Sequence, residues 1–464
     1  MSGAGTASRA QVVEAELTWT GDRFEPGVRV LVDGRGRIDA VEPFGNGERN
    51  PAGSADPVGA RPVLRLPGRA LLPGFVNAHS HAFQRGLRGR GETFPEGAGS
   101  FWSWREAMYD LVESLDPEAF RALSLRAFRE MRAAGITTVG EFHYLHHVSA
   151  READFLLDEA LLEAAAEAGV RLALLQVYYA AGGPGRPVEG AQRRFRSPSL
   201  EAYWRRMDHL AQTLDPGLQS LGVVAHSLRA ATPDEAAALH AEAVRRDLPF
   251  HLHIEEQRRE IEQCLEAYGA RPMELLLDRL EVSPRVTGVH CTHTAPEDME
   301  RFARAGGTVC ICPTTEANLG DGIADLPGVR AAGGTVCLGT DSNARISMTE
   351  EMRWLELVQR LAGERRGVVR DPEGRSAAPL LAAATTAGAR ALGLEGRVGA
   401  IRPGAWADFV AFDLTGPDLA GWSEATLAES IVYGAGNRAV AATCVGGRWR
   451  EERAGAPPIT PSGG

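Results

Sequence analysis

The stretch Phe75-Val-Asn-Ala-His79-Ser-His81 ends an apolar run in two histidines, two positions apart. Alternate residues of a strand face one side, so these imidazoles can stand together as a metal-ligand pair would need. Two ordinary histidines at a strand edge are the alternative that the pair alone leaves open. A second pair, His251 and His253, shares a face in Phe-His-Leu-His-Ile-Glu-Glu-Gln. Either can ligate; His253, nearer the strand end, is preferred, and His251 is left to the core. Asp341 comes straight out of an apolar run in Leu-Gly-Thr-Asp-Ser. A carboxylate there is costly unless it is paired or metal-bound, the competing assignment being a helix cap behind the strand. Three imidazoles and one carboxylate suit zinc, with a further position left for water. Iron or manganese accept the same donors.

Elements that could bring these residues together run through the middle of the chain. Eight short β-rich runs, 70–79, 137–144, 171–179, 221–227, 250–255, 286–291, 308–312 and 335–339, alternate with helical stretches such as 153–168, 233–246 and 349–361. That alternation predicts an α/β fold with a parallel sheet. Eight βα units favour a (β/α)8 TIM-like barrel over a doubly wound open sheet. Thr232-Pro233-Asp234-Glu235 is a helix start, with a capping Thr, then Pro, then acids in the first turn. Ten of the twelve histidines fall in or near the carboxyl ends of the proposed strands, His209 and His240 being the exceptions. Glu141, His143 and Tyr144 close the second strand, His226 and Arg229 follow the fourth, Glu256 follows the fifth, and His290 and His293 end the sixth. In a barrel those ends converge on one mouth. Insertions at 82–111, containing Phe101-Trp-Ser-Trp-Arg105, and at 180–199 belong to the same face. The barrel is expected over 67–395. The β-rich segments 1–66 and 396–464 are expected to pair into a small β-sandwich, with 46–59 a loop and the residues after 451 a disordered tail.

Composition narrows the class further. The 464 residues are 44% hydrophobic, enough for a large core, and a net charge of −11 argues against nucleic-acid binding. All 50 basic residues are arginine. A phosphate loop of the GxxxxGK type, a Schiff-base lysine and a carbamylated lysine bridging two metals are therefore excluded. The six cysteines are scattered without a CxxC pair, and Cys310 and Cys312 sit in an apolar run that belongs to the core. Such usage fits a reducing compartment. The N-terminus lacks a basic segment followed by an apolar one, and no apolar run approaches the ~20 residues of a membrane helix, so a cytoplasmic, non-membrane protein is expected.

Pro73-Gly-Phe-Val-Asn-Ala-His-Ser-His81, a fifth-strand His with Glu three residues on, a sixth-strand His and an eighth-strand Asp together resemble the amidohydrolase superfamily. The segment 399–413, Gly-Ala-Ile-Arg-Pro-Gly-Ala-Trp-Ala-Asp-Phe-Val-Ala-Phe-Asp, resembles its small sandwich, so the similarity spans nearly the whole chain. More narrowly, His79-Ser-His81-Ala-Phe-Gln84-Arg85, Phe101-Trp-Ser-Trp-Arg105, Glu141-Phe-His-Tyr144, His226-Ser-Leu-Arg229 and Cys312-Pro-Thr-Thr-Glu-Ala-Asn-Leu-Gly-Asp-Gly322 resemble members that hydrolyse N-formimino-L-glutamate in histidine degradation. The resemblance implies one divalent metal ion, zinc by preference, on His79, His81, His253 and Asp341. It implies that Glu256 shuttles protons, that His290 assists the attacking water and that Asp341 accepts its proton. Gln84, Arg105, Tyr144, His226 and Arg229 would hold the substrate, a small dicarboxylate for which arginine forks are suited. A fourth strand ending in His226-Ser227 instead of lysine implies a single catalytic metal, and relatives imply a homodimer. Glu255 stands where a small residue is usual, and Asn343 where a histidine often follows the Asp. A deaminase for a nucleobase or adenosyl compound is the rival reading, and a non-catalytic metal-binding barrel is a third, against which Glu256 argues.

Overall fold

The computed structural model describes residues 10–44, 61–94 and 99–452. The loop expected at 46–59 and the tail from 453 onward lie outside the described residues.

Five strands open the chain: β1 (Gln11–Trp19), β2 (Phe24–Glu25), β3 (Val28–Val32), β4 (Ile38–Pro43) and β5 (Val63–Pro73). The turn from β3 into β4 is built by Asp33, whose Oδ1 accepts the N–H groups of Arg35 and Arg37, both at 2.8 Å. Gly36 occupies φ +83° in that turn, and a Cβ there would overlap the carbonyl of Gly446. Eight strands follow: β6 (Phe75–Ser80), β7 (Ile136–His143), β8 (Arg171–Tyr178), β9 (Gln219–Ala225), β10 (Phe250–Ile254), β11 (Val286–His290), β12 (Thr308–Ile311) and β13 (Thr335–Leu338). The chain returns through β14 (Phe409–Asp413), β15 (Val440–Val445) and β16 (Arg448–Glu451).

β6 to β13 lie in sequence order as one parallel sheet, a nearly closed barrel. The seam between β13 and β6 is joined past the end of β13. There the His79 carbonyl accepts the N–H groups of Thr340 and Asp341, both at 3.0 Å, and His81 N–H donates to the Asp341 carbonyl at 2.9 Å. Every residue of β6, β7, β8, β10, β11 and β12 is buried, as expected for parallel strands covered by helices. The helix start expected at Thr232 is present: Thr232 Oγ1 accepts the Glu235 N–H at 3.2 Å, and Glu235 Oε2 accepts the Thr232 N–H at 2.8 Å.

The first and last segments form a mixed sheet in the order β4-β3-β1-β5-β14-β15-β16, with β2 on β1. It encloses a small core that includes Val13, Val30, Leu64, Leu71, Phe409 and Cys444. The run 70–79, expected as one strand, is divided. Residues up to Pro73 complete β5, which pairs with β1 and β14 in the end sheet, and the barrel begins at Phe75. Pro73 has no N–H to continue a ladder, and a Cβ on Gly74 would collide with Thr137, so the bend forms at this dipeptide. The two sheets are tied by a buried ion pair, Arg171 Nε to Asp408 Oδ2 at 2.9 Å.

Candidate metal centre and cleft

At the carboxyl end of the barrel, one ring nitrogen from each of His79, His81 and His253 and a carboxylate oxygen of Asp341 lie within 4.8 Å of one another, all four residues buried. His79 Nε2 stands 3.2 Å from both Asp341 Oδ1 and His253 Nε2, and His81 Nε2 is 3.1 Å from Asp341 Oδ1. The other ring nitrogens of two of them are spent outside the cluster. His81 Nδ1–H donates to the Phe142 carbonyl at 2.9 Å and His253 Nδ1–H to the His226 carbonyl at 3.1 Å. Each therefore turns an Nε2 lone pair inward. Burial depresses His79 to about 3, and burial with the neighbouring imidazoles holds His253 well below its ordinary range. Burial alone would raise Asp341, but the hydrogen bonds and charges of His79 and His81 outweigh it and hold the carboxyl well below the usual range. Lone pairs and a carboxylate converge here in a group that could hold a metal ion. Tetrahedral ligation at about 2.0–2.2 Å spaces donor atoms by about 3.4 Å, which the separations of 3.1–3.2 Å approach.

Period-two alternation explains why His143 stays outside the cluster, but it does not separate His251 from His253, which share a face. On β7, Phe142 packs against His79 and His253, ring centroids 4.9 and 4.1 Å away, while His143 faces out to Asp158, its Nε2 2.9 Å from Oδ1. Glu141, on the same side as His143, accepts the Ala82 N–H at 2.5 Å, and burial raises it to about 8. On β10, His251 is bonded through Nε2 to the Ala391 carbonyl at 2.8 Å, away from the cluster. His293, a polar residue of the sixth strand's end, donates its N–H to the Glu255 carbonyl and lies beside Gly322 instead of lining the cleft.

The cleft above the cluster is lined by His81, Gln84, Arg105, Tyr144, His226, Arg229, His253, Glu256, His290 and Asp341 among others. His79 lies beneath it, fully buried. Glu256 is pushed up by burial, against the pull of His290 and Arg229. His290 stacks on His253 at 5.5 Å, and its Nε2 is 3.8 Å from Glu256 Oε1 and 4.0 Å from Asp341 Oδ2. Burial would lower His290, but Glu256, Glu316 and Asp341 together raise it to about 10. Gln84 Nε2 donates to the Tyr144 hydroxyl at 2.6 Å, leaving its Oε1 buried without a partner. His226 is depressed, first by burial and then by Arg229. Arg105 and Arg229 each keep a buried Nε with no acceptor. Their guanidinium carbons lie over Trp102, at 4.8 and 5.8 Å from the ring centroid, and among the described residues neither forms an ion pair.

The two departures from pattern lie outside the cleft wall. Glu255, at φ +54°, turns away to the Met273 N–H (3.3 Å) and Arg271 (3.4 Å). Asn343, at φ +55°, donates its side-chain amide to the carbonyls of His81 (3.0 Å) and Asp341 (3.1 Å), clamping the barrel seam beside the cluster. Sequence reasoning missed Tyr109, Tyr179 and Glu316. The insertion at 82–111 contains a helix, Phe101–Ser114, with a capping box at Ser100 and Ser103, so Tyr109 lies one turn after Arg105 on the same face. A helical reading of that insertion would have found it. Glu316 Oε1 takes the Cys312 N–H at 2.9 Å and meets His290 Nδ1 at 3.2 Å; nothing in its local spacing announces that.

Barrel, end sheet and a buried three-imidazole, one-carboxylate group that could hold a metal ion are the features of a hydrolase of a known kind. The Amidohydrolase family pattern matches residues 70–450, and the chain belongs to that family. It is 40% identical over 389 residues to a formimidoylglutamate deiminase of Pseudomonas aeruginosa, covering 82% of this chain and 84% of that one. It is 29% identical to a 5-methylthioadenosine/S-adenosylhomocysteine deaminase of Nitratidesulfovibrio vulgaris, over 83% of this chain and 80% of that one. Among solved structures, an amidohydrolase from Brucella melitensis superposes with a TM-score of 0.84 at 34% identity, covering 96% and 95% of the two chains. No described helix is long and apolar enough to cross a membrane.

Proposed function

We propose that this protein is a deiminase that hydrolyses N-formimino-L-glutamate to N-formyl-L-glutamate and ammonia. The observation that carries the reading is the pair of arginines, Arg105 and Arg229, that keep unsatisfied Nε donors in the same cleft as Glu256 and the cation site. Both arginines are half-buried with a buried, unsatisfied Nε, so their acidic partners are sought in the ligand, and a substrate with two carboxylates supplies them. The relative from Pseudomonas aeruginosa is a formimidoylglutamate deiminase, which supports the same reading.

His79, His81, His253 and Asp341 would hold one divalent ion, zinc by the chemistry of the donors. When bound, such an ion acidifies water, from a pKa of about 15.7 to about 7, and stabilises developing negative charge. Glu256 takes one proton from the attacking water, with Asp341 beside it as a second acceptor, and gives it to the amidine nitrogen. The remaining hydroxyl proton follows to that nitrogen as the formyl C=O forms and the C–N bond breaks, releasing ammonia. The burial of Glu256 suits it to hold a proton between the two transfers. His290, held by Glu316 at Nδ1, presents Nε2 to the same space and donates to the oxygen that becomes the formyl carbonyl. Arg105 and Arg229 bind the carboxylates, and Gln84, Tyr144 and His226 hold the formimino end by neutral hydrogen bonds. We place the roles of all these residues within the reading, together with cytoplasmic location and a homodimer. The deciding assay is ammonia release by the metal-loaded protein from N-formimino-L-glutamate beside guanine and S-adenosylhomocysteine. Turnover of the formimino compound alone is expected; turnover of a nucleobase or adenosyl compound with none of the formimino compound would discard the assignment.

A further inference from the structure

Gln192 lies in the insertion at 180–199, behind the wall of the cleft, and its side chain is fixed at both ends. Its Oε1 accepts the Glu189 N–H at 3.2 Å, so its amide nitrogen must face the other way. That nitrogen is 3.0 Å from the Tyr109 hydroxyl and 3.2 Å from the Tyr179 hydroxyl. An amide carries two N–H hydrogens, one for each phenol oxygen. Both phenols are thereby acceptors from Gln192, and their own O–H protons remain unspent: neither donates to any group among the described residues. Both hydroxyl-bearing side chains line the cleft with Arg105 and Arg229, the Arg105 guanidinium standing 5.3 Å over the Tyr109 ring. Gly182 makes the arrangement possible, because a Cβ there would stand 2.7 Å from Gln192 Oε1. Two unspent hydroxyl protons and two cations without acidic partners among the described residues, lining one cleft, make a carboxylate-binding wall.

We propose that Gln192 is a positioning residue that presents the hydroxyls of Tyr109 and Tyr179 as proton donors to one carboxylate of the substrate, beside Arg105 and Arg229. The inference rests on the dicarboxylate reading above and extends it to residues that the sequence did not single out. It makes the 180–199 insertion part of the specificity apparatus, packed through Gln192 against the helix that carries Arg105 and Tyr109.

The test combines kinetics on N-formimino-L-glutamate with calorimetric binding of N-formyl-L-glutamate to the metal-loaded, full-length protein. Tyr109→Phe and Tyr179→Phe each delete one donor and are expected to raise KM and the Kd of N-formyl-L-glutamate roughly tenfold or more, the effect of a hydrogen bond to a charged group, with kcat little changed. Gln192→Leu frees the phenols to turn and should weaken both by a similar factor. Gln192→Glu is the discriminating variant: its carboxylate accepts the phenol protons that Gln192 leaves free, so it should weaken binding further than Gln192→Leu does. A merely structural Gln192 would give equal losses for the two, with kcat falling alongside. Equal binding by Gln192→Glu and Gln192→Leu, or an unchanged Kd in both Tyr→Phe variants, overturns the proposal. The two readings fail separately. If wild type turns over N-formimino-L-glutamate and the variants match it, only the role of Gln192 and the tyrosines falls. If wild type binds N-formyl-L-glutamate and the variants lose it, yet no ammonia is released from the formimino compound, only the assigned reaction falls.

Discussion

Replacing Arg229 by alanine separates carboxylate recognition from chemistry. The guanidinium is half-buried, its carbon 6.0 Å from the Phe101 centroid and 5.8 Å from that of Trp102, and its Nε has no acceptor. No internal ion pair is broken by the change, so the thermal midpoint should move little. Charge-assisted hydrogen bonds to a carboxylate are worth roughly 1.5–3 kcal/mol. At about 1.4 kcal/mol per factor of ten, kcat/KM for N-formimino-L-glutamate should fall by about 10- to 150-fold, chiefly through KM. A second signature follows from the same charge. Arg229 holds Glu256 down against the push of burial, so its loss raises Glu256 further. Glu256 must start deprotonated to act as base, and the acid limb of the kcat/KM profile should therefore move to higher pH. Arg229→Lys restores the charge without the fork and should fall between wild type and alanine. The assay is ammonia release across the acidic and neutral range, with a formimino compound lacking carboxylates as control. An unchanged kcat/KM, or an equal loss on the carboxylate-free control, would refute the carboxylate role.

Three further outcomes are expected. Glu256→Gln should retain metal, measured by elemental analysis, while kcat falls by about 10²- to 10⁴-fold; loss of metal would make Glu256 a ligand instead. Asp341→Ala or His253→Ala should reduce bound metal from about one ion per chain to a small fraction, and chelation of wild type should lower its thermal midpoint because the ion binds only the folded chain. Burial raises Glu260 to about 7, and both its carboxylate oxygens lack partners. Its folded pKa lies above the ordinary 4.5 or so, hence the native state holds the proton more tightly, and stability is lost as pH rises through that window. Glu260→Gln should raise the thermal midpoint at pH 8, by at most about 3 kcal/mol of stability, and give little at pH 4.5; the same gain at both values would rule out the ionisation as the cause.

The four donors that the structure brings together were within reach of the sequence because strand periodicity and strand ends are local properties. His79 and His81 sit two apart, so alternation put that pair on one face. His251 and His253 share a face as well, and position nearer the strand end, with the family resemblance, chose between them. The same rule sends His143 outward to Asp158, a distinction that needed the phase of β7 and not merely its position. The run 70–79 is expected as one strand, whereas Pro73-Gly74 within it is the crossing between two sheets. That could not be read locally, because the partners that claim β5 are β1 and β14, one of them more than 300 residues away in sequence. Tyr109 was within reach of helical periodicity. Glu316 and Gln192 were not, since each acts on a side chain from a distant stretch and carries no pattern of its own.

The way the barrel closes explains why the site is built where it is. Of eight non-glycine residues with positive φ among those described, five (Glu255, His290, Cys291, Asp341 and Asn343) lie just at or past the ends of β10, β11 and β13. Such conformations cost roughly 1–3 kcal/mol each and persist only where surrounding structure enforces them. Here the enforcing structure is visible. The seam bonds from His79 and His81 to Asp341, with Asn343 clamped across them, fix the backbone of three of the four cation-site residues in one hydrogen-bonded knot. Completing the barrel and assembling the donor set are thus the same event. An ion bound there strengthens the seam from inside, so removing it should loosen β6 and β13 before the rest of the barrel. Amide hydrogen exchange can detect that order: faster exchange at the N–H groups of His81, Thr340 and Asp341 in chelated protein, with β8 and β9 unchanged, is the expected pattern, and uniform acceleration across all eight strands would refute it.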